Sequence, residues 1–544
     1  MNADKYRWRI WVWRRYSVKN ILSLSVFICA YLWLTLLSSC TTKPTDLRTL
    51  VPAETLVYLE TNDLAAALQP IVDSKPFTEI AKKKPDFSAL KGVQMAVAVT
   101  GFETTEEKLT DEHSVGRVQP RFVAIAETHA WQFQTVGFAE TKLGAFVAEI
   151  YGGEPKVEKS EKSDGRYFTW TSADGRKAYA LVKGSLIYFG NDESAIDKCL
   201  AVRSGQADSI AKTGKVPVVS QETLASGYVS TDGVAQIANI VGLKLASEAG
   251  EDPEIQSGIA GILPQLLRKS ITDITWTGTK ADGGIEDKYQ IAMPPETASV
   301  FSETMAQSDS VDDSIRDALP AKLDSVTVYK IKNPQVALRS LILAVAEKTD
   351  PLVGKLLVQY ISETFASYGV KNPEGFLSSL GSGVATVRMG TENDQVAIIA
   401  SVKDQKLAES SISDKAKPLV TPTANSRGKS WQEDDQVLKV LFENSRVLIG
   451  NENVVDLCGI SAIHKDPSIT PDLFRRNEYS IASVGKEDLA SEIAEMLSEK
   501  KTDDINAVAT YYTETRFTRS GMERRTVSDF GLIGSIIAQL GGDQ

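Results

Sequence analysis

The chain has 544 residues, 42% of them apolar, and a formal net charge of -11. An acidic balance repels nucleic-acid phosphates and gives no mainly electrostatic grip on anionic lipid, so no nucleic-acid partner is expected. At roughly 100 to 200 residues per domain, a chain of this length is expected to form three or four units with ordinary hydrophobic cores.

Residues 1–20 carry Lys5, Arg7, Arg9, Arg14, Arg15 and Lys19 against Asp4 alone, and residues 21–39 carry no charge. A basic leader before an apolar run reads as an export signal. Ile21 to Leu37 is near the lower limit of about 17 to 25 residues for a membrane-spanning helix, so length does not separate a cleaved signal from an uncleaved anchor. Leu37-Ser38-Ser39-Cys40 resembles the lipobox of bacterial lipoproteins. The resemblance implies that signal peptidase recognises Leu37, Ser38 and Ser39, that residues 1–39 leave, and that the Cys40 sulfur carries the lipid, with palmitate among its acyl chains. The alternative is a signal anchor with an incidental cysteine. Residues 40–50 are expected to form a tether, and Thr41, where inner-membrane lipoproteins typically have Asp, favours an outer-membrane destination in an organism that has one. Six basic residues and one acid leave with the signal, so the mature charge becomes -16. The lipid anchor is then the expected membrane contact.

The rest of the chain repeats itself. "ETLVYLETNDLAAAL" (Glu54 to Leu68) matches "DSVTVYKIKNPQVAL" (Asp324 to Leu338) without a gap. Both predict a strand followed by a helix capped by Asp63 or Asn333, with Pro334 at the first helical position of the second copy. "AYALVKGSLIYFGNDESAIDKC" (Ala178 to Cys199) matches "LKVLFENSRVLIGNENVVDLC" (Leu438 to Cys458). These predict hairpins turning at Lys183-Gly184 and Glu443-Asn444, each preceded by a tryptophan-bearing strand, Trp170 or Trp431. Helices opened by Asn191 and Asn451 follow. They carry Cys199 and Cys458, expected as buried free thiols rather than a bridge. Later hairpins are expected to turn at Asp282-Gly283 and Ser520-Gly521.

The expected organisation is a tandem duplication with larger units at 51–218 and 311–467 and smaller strand-helix-hairpin units at 219–310 and 468–544. Consecutive hairpins with intervening helices predict an α+β fold: mainly antiparallel sheets with helices packed on one face. The second half adds a helical stretch from Pro334, broken near Asp350-Pro351 and ended by Gly369. "FGLIGSIIAQLGG" is expected to pack as the last helix. The strand "VPAETLVYLETNDLAAAL", with the later Gly-Asn landmarks, resembles a bacterial envelope lipoprotein family known only as a domain of unknown function. The resemblance implies an exported, duplicated α+β protein and transfers no site.

Residues that carry chemistry are sparse. His113, His129 and His464 are the three histidines, and none stands in a metal-binding or zinc-hydrolase spacing. "GKS" at Gly428 to Ser430 lacks the earlier glycine of a phosphate loop and leads into a strand. Ser88 and Lys91, with Lys212 to Gly214, match serine-lysine enzyme spacings without the third element. The Asp-Gly tetrapeptides read as turns, not calcium loops. No catalytic residue, cofactor-binding residue or metal ligand is therefore assigned. The expectation is a non-catalytic, lipid-anchored envelope protein that binds an envelope protein, a lipid or a glycan between its halves. An envelope hydrolase with a site assembled between the halves, and a structural spacer, are the alternatives.

Overall fold

The computed structural model describes residues 44–108, 114–218, 220, 222–248, 264–305, 313–320, 323–348, 351–390, 395–413, 417–418, 428–433, 436–460, 478–501 and 507–542. The first half contains β1 (Val57–Thr61), α1 (Leu64–Asp73), α2 (Lys75–Ile80), β2 (Gln94–Lys108), β3 (Ser114–Glu127), α3 (Gln132–Phe138) and, after a π-turn at Ala139–Leu143, α4 (Gly144–Ile150). It continues through β4 (Lys156–Lys162), β5 (Gly165–Thr171), β6 (Lys177–Lys183), β7 (Leu186–Gly190), α5 (Glu193–Arg203), β8 (Thr223–Val229), α6 (Thr231–Glu248), β9 (Asp273–Ala281), β10 (Gly284–Ala292) and α7 (Pro295–Thr304). The second half runs through β11 (Ser325–Lys330), α8 (Pro334–Lys348), α9 (Pro351–Ser367), β12 (Leu380–Arg388), β13 (Val396–Val402), β14 (Lys417–Pro418), β15 (Lys429–Glu433), β16 (Gln436–Glu443) and β17 (Arg446–Asn451). It ends with α10 (Glu452–Ile460), β18 (Ile481–Glu487), α11 (Ala490–Leu497), β19 (Ala509–Thr518), β20 (Gly521–Ser528) and α12 (Gly531–Gly542).

The fold is α+β, and its strands form one continuous antiparallel sheet. From the central β10–β20 pair outward, the first half reads β10-β9-β8-β1-β2-β3-β7-β6-β5-β4. The second reads β20-β19-β18-β11-β12-β13-β17-β16-β15-β14. Each place in one order is held in the other by the strand ten numbers later. At the seam, Ile285 pairs with Ser528 and Ile291 with Met522, so like strands meet antiparallel.

Local signals set many elements. Asp63 Oδ1 accepts from the Ala66 N–H at 3.0 Å, and Asn333 Oδ1 accepts from Val336 N–H at 3.2 Å, capping α1 and α8. Lys183 pairs with Leu186 and Glu443 with Arg446, closing two-residue turns. In the second turn Asn444 and Ser445 hold φ of 50° and 59°, the left-handed geometry that suits a tight hairpin. These turns stand on Gly184-Ser185 and Asn444-Ser445, one residue later than expected, and two other landmarks also shift. Asp192, not Asn191, caps α5, because the Asn191 side chain bonds Phe122 and Pro120 across the sheet. The last hairpin turns on Arg519-Ser520, with Gly521 already paired to Thr518.

Helices cover both faces of the sheet, a correction to the one-sided arrangement expected. Ala180, Val182 and Ile187 join α1, α2 and α12 in one cluster, while the alternate residues Leu181, Leu186 and Tyr188 join α5 in another. The physical reason is visible in "AYALV" and "SLIYF": a strand buried on both faces carries a near-continuous apolar run instead of alternation. Cys199 on α5 and Cys458 on α10 are free, fully buried, and packed in the corresponding clusters of the two halves. Burial pushes both thiols up to about 12.

Candidate functional site: an apolar cavity closed by both halves

Small residues on the inner positions of β2, β3 and β6 keep the sheet surface low. Val97, Val99, Ala124, Ala126 and Ala178 line a cavity of about 1210 Å³. Pockets for small molecules usually hold roughly 300–1,000 Å³, so this one has room for a large ligand. Leu64, Ala67 and Leu68 of α1 form one side. Phe138, Leu143, Phe146 and Val147, from α3 through α4, form the roof. A third wall comes from the far end of the sequence, where Ile533, Ile536 and Ile537 of α12 line the same space.

A buried carboxylate holds that third wall. The Trp276 Nε1–H donates to Asp287 Oδ1 at 2.8 Å, and the Leu532 backbone N–H, at the start of α12, donates to Asp287 Oδ2 at 2.8 Å. Trp276 itself lines the cavity. Burial pushes the Asp287 carboxyl up to about 6, against the lowering effect of those two donors. Gly531 opens the helix at φ 61°, where an added Cβ would stand 2.7 Å from Ile285, so the close approach of α12 to β10 requires glycine. Nearby, Arg525 of β20 donates to Glu286 of β10 at 2.7 Å. Burial alone would raise Glu286; the Lys288 and Arg525 hydrogen bonds outweigh it and hold the carboxyl below its ordinary value. Glu487 is raised by burial and by the charges of Asp529 and Asp287.

Charged and polar lining residues gather at the opposite end. Glu103, Arg121, Arg176, Lys177 and Asp192 stand there, the register placing Phe122 and Val123 beside Asn191 and Gly190. Arg121 pairs with Glu103 at 3.2 Å, both half-exposed, and the Arg176 guanidinium lies 4.9 Å from the centre of the Tyr151 ring. The cavity is therefore apolar in its depth and amphipathic at its mouth. Such a surface shelters a hydrocarbon chain while a polar group stays in water.

The strongly raised carboxylates already have partners. Glu60 is among the lining residues, and its carboxylate, pushed up to about 7 by burial, accepts from the Tyr58 hydroxyl at 2.9 Å. His129 lies 3.8 Å from Glu127 on a turn beyond the cavity. Ser88 and Lys91 flank a short turn, and Lys212 to Gly214 end another, well separated in the fold. Lys429 and Ser430 belong to β15, as the tryptophan strand requires. No group of three or more His, Cys, Asp or Glu able to hold a metal exists among the described residues. Among the described residues, no helix is long and apolar enough to cross a membrane. Cys40, Leu37, Ser38, Ser39, His113 and His464 lie outside the described residues.

Sequence reasoning did not find the cavity. Its walls come from more than ten separate segments, and only the run of small residues at Ala124, Ala126 and Ala178 hinted that a sheet face was left unfilled. Compared with family models, curated proteins and solved structures, the chain matches none.

Proposed function

We propose that this is a non-catalytic, lipid-anchored envelope protein that binds an amphiphile with a long hydrocarbon part. The observation that supports the reading is the cavity of about 1210 Å³, walled by aliphatic and aromatic side chains from both halves. A polar ligand would strand its hydrogen-bonding groups against such walls, whereas an apolar chain releases ordered water and loses nothing. The reading includes export through residues 1–39, lipidation at Cys40 and an origin by duplication of a ten-stranded unit, supported by the repeated strand order. The resemblance of the opening strand to an envelope lipoprotein family belongs to the same proposal.

The test is to purify the native protein from membranes, extract it with organic solvent and identify co-purifying lipids by mass spectrometry. Displacement of an environment-sensitive fluorescent fatty acid follows on the same sample. Stoichiometric lipid in the wild type, and loss of both lipid and probe binding in Ala124→Trp, is the expected result. A wild type that carries no lipid and leaves the probe in water overturns the proposal.

A further inference from the structure

The start of α3 exposes two large aromatic side chains, the capping residue Trp131 at 72% and Phe133 in the first turn at 73%. The turn that leads into it is held in place. His129 adopts φ 52°, its N–H donates to Glu127 Oε1 at 2.9 Å, Thr128 Oγ1 donates to the Ser185 carbonyl at 2.8 Å, and the Trp131 N–H donates to Gln134 Oε1 at 3.1 Å. A non-glycine residue in the left-handed region, pinned on both sides, marks backbone that the fold works to maintain. What it maintains is the outward display of an indole and a phenyl ring. Residues 128–134, "THAWQFQ", carry no carboxylate or ammonium group in a chain that is otherwise acidic.

The position of this turn names its partner. The Thr45 N–H donates to Gln94 Oε1 at 2.8 Å, and its carbonyl accepts from Gln94 Nε2 at 2.8 Å. Gln94 is the register partner of Glu127, two residues before His129. Thr45 therefore lies at the same end of the β2–β3 ladder that displays Trp131 and Phe133. Thr45 is five positions after Cys40, a reach of at most about 18 Å in extended chain. The charged mouth at Arg121 lies six residues along β3 in the other direction, about 20 Å away.

We infer that Trp131 and Phe133 dock on the lipid bilayer, fixing the first half with the cavity mouth turned away from the membrane. Tryptophan suits the boundary between headgroups and acyl chains, with its ring among hydrocarbon and its N–H in the wet layer. The inference rests on the anchored reading of Cys40. It adds an orientation: the amphiphile is presented to the compartment, not to the bilayer that holds the protein.

The test uses the full chain produced in a two-membrane bacterium and reconstituted into phosphatidylcholine vesicles, with or without bromine on the acyl chains. Emission is recorded for the wild type and for Trp131→Phe, and the difference isolates Trp131 from the buried Trp170, Trp276 and Trp431. The expected result is that bromine removes about half or more of the Trp131 emission and that acrylamide no longer reaches it, as for an interfacial indole. Trp131 emission that is indifferent to bromine and still open to acrylamide overturns the inference and points to a protein partner. Mass spectrometry of the N-terminal peptide from the same sample separates the two readings. An unmodified Cys40 sinks the anchor, while bromine quenching still decides whether the aromatic pair meets lipid.

Discussion

The two halves share a strand order and differ in what lies against one face. By register, Ala124 of β3 corresponds to Ile398 of β13, and Ala178 of β6 corresponds to Leu438 of β16. In the first half both alanines line the cavity. In the second, Leu438 is buried in a cluster with Val440, Ile449, Phe376 and Trp431, and Ile398 packs against it. An added Cβ on Gly369 would stand 2.7 Å from the Trp431 ring, a measure of how closely that face is packed. Side-chain volume contributes to the difference: small residues on this face of the first half of the sheet leave space, and larger residues at the corresponding positions of the second half fill it.

The comparison breaks hardest where the halves depend on each other. Phe530, fully buried before α12, packs in the core of the first half although it is encoded in the second. Phe530→Ala is expected to destabilise the chain by about 3–5 kcal/mol, read by denaturant unfolding. The first-half tryptophans Trp170 and Trp276 should report the loss. A transition confined to the second half would contradict the shared core.

The next effect concerns pH. Burial pushes the Asp287 carboxyl up to about 6 in the folded chain, against 3.8 for an unburied aspartate. The folded state therefore binds the extra proton between these values, so the stabilisation is complete below about 3.8 and is lost as pH rises through 6. Its size is on the order of 2–3 kcal/mol, and Asp287→Asn should remove that part of the pH dependence of unfolding. Glu60 acts in the same direction, its window running from 4.5 to about 7. The corresponding place in the second half is held by Lys330, whose ammonium lies 4.0 Å from the Tyr479 ring centre.

A sharper version of the cavity comparison converts one half toward the other. The double variant Ala124→Ile and Ala178→Leu is expected to weaken binding of a fluorescent fatty acid at least about tenfold, equivalent to 1.4 kcal/mol, while the unfolding midpoint stays the same or rises. The smallest effect tests equivalence of the repeats. Asp63→Ala and Asn333→Ala each remove one helix cap and should each cost about 1 kcal/mol in thermal unfolding.

What the sequence revealed follows from where the information is local. Caps at Asp63 and Asn333, a tight turn within one residue of Glu443-Asn444 and the twin cysteine helices rest on a few adjacent residues, and each was legible. The continuous sheet was not, because the β1–β8 and β10–β20 pairings join segments far apart in the chain, Val57 with Val229 and Ile285 with Ser528, with no local mark. The two-sided burial was present in the unbroken apolar strands but was read through the alternation rule for a one-sided sheet. The α12 wall was hidden for a different reason: its apolar face announces that it must be buried but not against which half. Trp131 and Phe133 were invisible as a feature, since exposure is a property of the fold.

The seam between β10 and β20 has a topological consequence. Because like meets like there, either half presents an edge that fits its counterpart on a neighbouring chain as well as its own. Covalent linkage raises the effective concentration of the internal partner, and so favours a closed molecule over an open string of molecules. The connection through α7 then acts as a valency limiter: shortening it until β20 no longer reaches β10 of its own chain should favour pairing with β10 of a second chain.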